Sequence, residues 1–288
     1  MFRAALALPL LVLAPALGVA QQSITLTQSA TTQQATADPP QAAPTPPARD
    51  PQAVALAQAA LTALGGSNAR LASISASGTY TSYLAGSTVS YPLRVEALGS
   101  DKFRWEIDTA DQGTIITVVN GTVSWTQSPA NGTQPIPVGE IPGKTFETFP
   151  ALAFSTWVNS ATVGLQLIGV ETVAGASLNH FSITPVLDGN SDPKREKIYE
   201  TTHQREVFLD VKTNLPVRMR YYSHPLDWRV PMPVEVEYSN FQSVGGIAFP
   251  SIISSYHRGR QLSQIQYLSI VVNVPIAASD FLPAGVTQ

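Results

Sequence analysis

The stretch Tyr91-Pro92-Leu93-Arg94-Val95-Glu96-Ala97-Leu98-Gly99-Ser100-Asp101-Lys102-Phe103-Arg104-Trp105-Glu106-Ile107-Asp108 decides the fold. Tyr91, Leu93, Val95 and Ala97 alternate with Pro92, Arg94 and Glu96. After Leu98-Gly99-Ser100-Asp101, Phe103, Trp105 and Ile107 alternate with Lys102, Arg104, Glu106 and Asp108. A period of two sends one set of side chains to each face of an extended strand, and Gly99 with Asp101 supplies turn chemistry between the runs. The segment therefore predicts a hairpin with one dry and one wet face: Phe103, Trp105 and Ile107 inward, Arg104 and Glu106 toward water. Val234, Val236 and Tyr238 repeat the pattern against Glu235, Glu237 and Ser239.

Outward from this hairpin the turn signals recur. Asn120-Gly121 divides Thr114–Val119 from Thr122–Gln127, and Gly175, Asn214 before Leu215-Pro216, Gly245-Gly246 and Arg258-Gly259-Arg260 punctuate further apolar runs. The runs number about eleven or twelve, at the spacing of a sandwich, a barrel or a large curved sheet in mainly antiparallel order. Pro92, Pro231 and Pro233 are expected at edges or strand starts, where a missing amide donor costs little. One helix precedes the strands. Asp50 can cap it, Pro51 suits its first position, Val54, Ala57, Leu61 and Leu64 form its stripe, and Gly65-Gly66 ends it. The strands are interrupted once: Ser128 to Gly143 reads as a proline-rich loop, and Thr145 to Val158 offers a short aromatic helix. A helix this apolar needs a surface to lie on, and the dry face of the sheet is expected to receive it as a lid.

The chain divides into three parts. Met1 to Ala20 reads as a secretory signal peptide cleaved after Ala20, with Arg3, an apolar run broken by Pro9 and Pro15, and a small-residue exit. That run is too interrupted for a membrane span of about 20 apolar residues. Residues 21–50, rich in Gln, Thr, Ala and Pro, read as a flexible linker without enough apolar surface to offset chain entropy. Residues 51–288 read as one domain. With no cysteine, neither a disulfide framework nor a lipid-modified cysteine is available. A net charge of -3 with 13% charged residues argues against a phosphate-tracking surface, so no nucleic-acid partner is expected. Lys194-Arg195-Glu196-Lys197 is a local basic cluster diluted by its acids.

No Gly-x-Ser-x-Gly elbow, phosphate-cradling glycine loop with Lys, or His-Glu-x-x-His is present. His180, His203, His224 and His257 fall on separate segments without ligand spacing. Asp188, Asn190 and Asp192 begin a calcium-loop pattern that Pro193 and Tyr199 break, and they read better as a polar turn. Asn120 and Asn131 head glycosylation-type triplets that also read better as turns. No catalytic group, metal site or cofactor is assigned. The aromatic set Phe103, Trp105, Trp125, Phe146, Phe154, Trp157 and Tyr238 admits two readings, ordinary core or the wall of a ligand cavity.

Several strings carry a resemblance. Ser100-Asp101-Lys102-Phe103-Arg104-Trp105-Glu106, the segment Phe208 to Arg218, Tyr238-Ser239-Asn240-Phe241 leading to Gly245–Pro250, and Val272-Asn273-Val274-Pro275-Ile276 before Asp280-Phe281 resemble the outer-membrane lipoprotein-sorting proteins, the LolA/LolB-like group, over roughly Pro51 to Leu282. The resemblance implies an unclosed antiparallel β-barrel of about 11 strands, with an N-terminal helix and a helical lid on its concave face. It also implies a non-catalytic periplasmic or secreted carrier for a lipid, a lipoprotein acyl chain or another apolar ligand. The ligand face would then comprise Leu93, Val95, Phe103, Trp105 and Ile107, together with Trp125, Val236 and Tyr238. Phe146, Phe149, Phe154 and Trp157 would form the lid. An envelope sensor or interaction module of the same fold, working through an envelope protein partner, is the alternative, and a hydrolase with dispersed residues is a third.

Overall fold

Arg94 faces Glu106, Val95 faces Trp105 and Ala97 faces Phe103 across the first hairpin, the register that the period of two requires. The computed structural model describes residues 48–66, 71–83, 86–121, 123–136, 147–185, 203–223 and 232–283. The signal-peptide reading, linker residues 21–47, Phe146, Asp188-Asn190-Asp192, the 194–197 cluster, His224 and Pro231 lie outside them.

Helix α1 (Pro51–Ala63) begins as expected: Asp50 Oδ1 accepts from the amides of Gln52 at 2.7 Å and Ala53 at 3.3 Å, and Pro51 occupies the first turn. Its buried stripe is Ala53, Ala57, Ala60 and Leu61, continued by Leu64, with Val54 only half-buried. The stripe is thus rotated toward the alanines, whose small side chains let a backbone approach closely. Gly65 shows how close: at φ 77°, a Cβ there would stand 2.0 Å from the Gly246 carbonyl oxygen. The Leu64 carbonyl accepts from the Ala248 amide at 3.0 Å.

Thirteen strands follow, slightly more than the expected eleven or twelve: β1 (Ser73–Ser82), β2 (Val89–Leu98), β3 (Lys102–Thr109), β4 (Gly113–Asn120), β5 (Val123–Ser128), β6 (Gly132–Ile136), β7 (Val163–Val173), β8 (Ala176–Pro185), β9 (Arg205–Asp210), β10 (Pro216–Ser223), β11 (Met232–Val244), β12 (Ile247–His257) and β13 (Arg260–Val272). They form one unclosed antiparallel sheet in the order β6-β5-β4-β3-β2-β1-β13-β12-β11-β10-β9-β8-β7. A first hairpin run ends at the β6 edge and a second at the β7 edge, joined by pairing of β1 with β13. β6 lies inside the stretch expected to be loop. Its Pro135 is tolerated because an edge strand needs amide donors on one side only. Pro92 stands where β2 pairs with β1 but has outrun its register with β3, and Pro216 opens β10.

Helix α2 (Pro150–Asn159) lies between β6 and β7 in sequence, and its buried Ala151, Leu152, Ala153, Phe154 and Trp157 belong to the same apolar cluster as α1 and the inner face of the sheet. Residues expected in the linker also join the fold. Arg49 bridges Leu165 of the β7 edge, the Asp50 amide donates to the Leu165 carbonyl at 2.8 Å, and the Leu165 amide donates to Ala48. Among the described residues, no helix is long and apolar enough to cross a membrane.

Candidate ligand-binding face

The inner face is assembled by register. Leu93, Val95 and Ala97 of β2 face Ile107, Trp105 and Phe103 of β3. Across the sheet, Val234 and Val236 of β11 face Tyr221 and Met219 of β10, and Tyr238 faces Ile253 of β12. Leu93, Val95, Phe103, Val236 and Tyr238 are all buried in one cluster, while Trp105 and Ile107 are half-buried at its margin. Tyr80 packs edge-on against Trp105 there, ring centroids 5.5 Å apart.

The lid aromatics enter the same cluster. Phe149, at the start of α2, is the central wedge: its ring stacks on Tyr267 at 6.0 Å, meets Phe249 edge-on at 6.2 Å and approaches Phe103 at 6.4 Å. Phe154 packs edge-on against Trp157 at 5.2 Å and reaches Phe181 of β8. Phe149, Phe154 and Trp157 therefore cover the face with their rings, and no side chain caps the start of α2. The other end of α2 is tied down. Arg49 donates from Nη1 to the carbonyls of Trp157, Ser160 and Val163 and from Nη2 to Val158 at 2.8 Å, placing a cation at a helix C-terminus.

Trp125 does not belong to this face. Its partner across the ladder is Val118, whose own partner is Arg104, so Trp125 stands on the outer face. There it is buried with Val118 and Phe281, its Nε1 donating to the Phe281 carbonyl at 3.4 Å. The expectation failed because the wet face turns dry at this end of the sheet. The 3-10 helix Ala278–Phe281 lies over it, Arg104 donates to the Asp280 carbonyl at 2.8 Å and to Glu106 at 2.7 Å, and both side chains are mostly covered. Desolvation under this cover, aided by Asp280 and Glu106 against the opposing Arg104, raises the Glu96 carboxyl above its ordinary range.

Sequence reasoning missed Phe181, Phe249 and Tyr267, although period two marks the first with Ile183 and the last with Ile265. It also missed three polar groups on or under the inner face. The Tyr267 hydroxyl is buried without a hydrogen-bond partner among the described residues, an uncommon and costly state. Glu147 and Arg205 are buried too, and no local pattern announces a charge that tertiary packing will bury.

No family model and no curated protein matches the sequence. Solved structures do match in shape. A protein from Vibrio parahaemolyticus described as an outer-membrane lipoprotein-sorting protein domain aligns with TM-score 0.55 at 12% identity, over 80% of this chain and 96% of its own. The chain has a LolA-like fold. A LolA superfamily protein from Nitrosomonas europaea aligns with TM-score 0.53 at 15% identity, over 78% of this chain and 97% of that one. A DUF1329 family protein from Desulfovibrio piger aligns with TM-score 0.55 at 14% identity, over 80% and 97%. At these identities the likeness is one of fold, in line with the unclosed sheet and its covering helices α1 and α2.

Proposed function

We propose that this LolA-like chain is an exported, non-catalytic carrier that binds a lipid, an acyl chain or another apolar molecule on the inner face of its sheet. The observation that carries the reading is the cover itself. Phe149, Phe154 and Trp157 cover the apolar face with aromatic rings packed on one another and on Tyr267, Phe249, Phe103 and Phe181, so an apolar chain that takes the place of those rings preserves the burial. Transfer of apolar area from water contributes about 25 cal/mol per Å², enough to hold a long chain without a specific hydrogen bond. The fold shared with lipoprotein-sorting structures supports the architecture of such a carrier.

The test is direct. Mass spectrometry of extracts from natively purified protein is expected to reveal co-purified lipid, and added fatty acid is expected to raise the melting temperature with concentration. Binding to the folded state alone stabilises by about 2.7 kcal/mol at one hundred times the dissociation constant. Phe154→Ser with Trp157→Ser is expected to alter ligand affinity more than folding of the sheet. If no apolar ligand shifts the melting curve and the double variant unfolds, these aromatics are plain core and the carrier reading fails.

A further inference from the structure

Among the described residues, charge interrupts the apolar inner face beside Tyr221. Arg205 opens β9 on the same face as Val207 and Leu209, directly opposite Tyr221 of β10, and only 4% of it is exposed. Its guanidinium carbon lies 4.5 Å from the centre of the Tyr221 ring, and its Nη1 donates to the Gln204 carbonyl at 3.0 Å. Tyr221 and Tyr238 are themselves buried in the main cluster. The carboxylate that meets them comes from outside the sheet: Glu147, 7% exposed and two residues before the wedge Phe149, accepts a hydrogen bond from the Tyr221 hydroxyl.

A buried Glu and Arg are expensive. The desolvation penalty is several kcal/mol per ion, and well-packed apolar replacements are often as stable. Stability alone therefore does not explain a guanidinium and two phenols gathered under a lid. Together they present donors suited to one carboxylate, and the carboxylate that the Tyr221 hydroxyl meets, Glu147, comes from the segment leading into α2. A phenol is protonated and able to donate at neutral pH, and burial first, then the Glu147 charge, push both phenols further above the ordinary tyrosine range.

We propose that Arg205, Tyr221 and Tyr238 form a head-group site for a ligand carboxylate, that of a fatty acid, and that Glu147 fills this site in the closed form as an internal stand-in. Ligand binding and release of the lid are then a single exchange: the fatty-acid carboxylate replaces Glu147, and its chain replaces the Phe149, Phe154 and Trp157 rings. The proposal rests on the carrier reading and adds to it the chemical class of the ligand.

The test compares palmitic acid with cetyl alcohol, equal in chain length, by calorimetric titration of the full chain. Wild-type protein is expected to prefer the acid by about tenfold or more. Arg205→Met alone removes one of two buried charges beside Tyr221, leaving the other uncompensated, and risks misfolding. The charge-neutral double variant Glu147→Gln/Arg205→Met removes both ions together, and its acid preference is expected to disappear. Glu147→Gln, which weakens the internal competitor, is expected to bind the acid more tightly than wild type. Equal affinity of wild type for acid and alcohol, or an unchanged preference in the double variant, would overturn the head-group site while leaving the carrier reading intact. Binding of neither compound would overturn both.

Discussion

Phe103 carries more of the inner face than its neighbour Trp105. It is fully buried between Ala97, Trp105 and Phe149, whereas Trp105 keeps part of its surface exposed. Phe103→Ala is expected to cost about 3–5 kcal/mol in urea unfolding, and Trp105→Ala distinctly less; the reverse order would show that the marginal aromatic anchors the cluster. Asp210 acts on a smaller scale. Its Oδ1 accepts from the amides of Thr213 at 2.8 Å and Lys212 at 3.0 Å and from the Thr213 hydroxyl. The Thr213 amide above all, against a smaller effect of burial, holds its carboxyl below the ordinary aspartate range. A depressed folded pKa means stability that is present above the unfolded value and lost as pH falls through the folded one. Asp210→Ala is therefore expected to cost about 1 kcal/mol at neutral pH and less in strong acid, where the protonated carboxyl still accepts but without charge. Asp210→Asn, still an acceptor, is expected to lose less. A pH-independent difference would mean that the ionised form plays no part in the turn.

At the scale of elements, α2 is fixed by packing along its length and by Arg49 at its end. Arg49→Ala removes the cation and its bonds to the carbonyls of Trp157, Val158, Ser160 and Val163. The variant is expected to lose about 1–3 kcal/mol and to speed amide exchange across 152–160 more than across β12. Uniform acceleration throughout the sheet would deny α2 any independent opening. Helix α1 is held differently, by backbone contact. Gly65→Ala needs both a left-handed conformation and room that the Gly246 carbonyl occupies. It is expected to cost well over the 1 kcal/mol typical of glycine replacement at positive φ, read as a fall in denaturation midpoint.

At the scale of the molecule, an unclosed sheet must manage its edges. β6 carries Pro135, and the start of β7 is paired by residues 48–50. The remainder of β7 exposes Ile168 (50%) and Val170 (65%). Replacing both by Lys is expected to leave stability within about 0.5 kcal/mol per site and to slow aggregation on concentration or heating; unchanged aggregation by light scattering would show that this edge is not the sticky one. The outer face over β8–β11 is laced by ion pairs, Arg218 with Glu237 at 2.8 Å and Arg220 with Glu206 at 3.1 Å, and His180 stacks on Phe208. Residues 21–47, by their composition, have little apolar surface to contribute. Their deletion is expected to move the melting temperature by less than about 2 °C, whereas deletion through Arg49 is expected to lower it further, because the clamp on α2 goes with it.

Much of this architecture was legible in the chain because it follows from local backbone geometry. Side chains alternate across a strand whatever surrounds it, so Leu93, Val95, Phe103, Val236 and Tyr238 were readable as one dry face. The Asp50 cap, the left-handed Asn214 and the opening Pro216 were equally readable, since each answers to its immediate neighbours. Tertiary structure alone decided what lay across the sheet. Alternation says that Trp125 opposes Ser124 but not which side the C-terminal segment will cover. Composition placed Arg49 in a linker, and only the approach of β7 and α2 made it a clamp. Glu147 and Arg205 are far apart in sequence and look like solvated charges there; the fold buries both against Tyr221, because long-range packing, not local propensity, determines which charges lose their water.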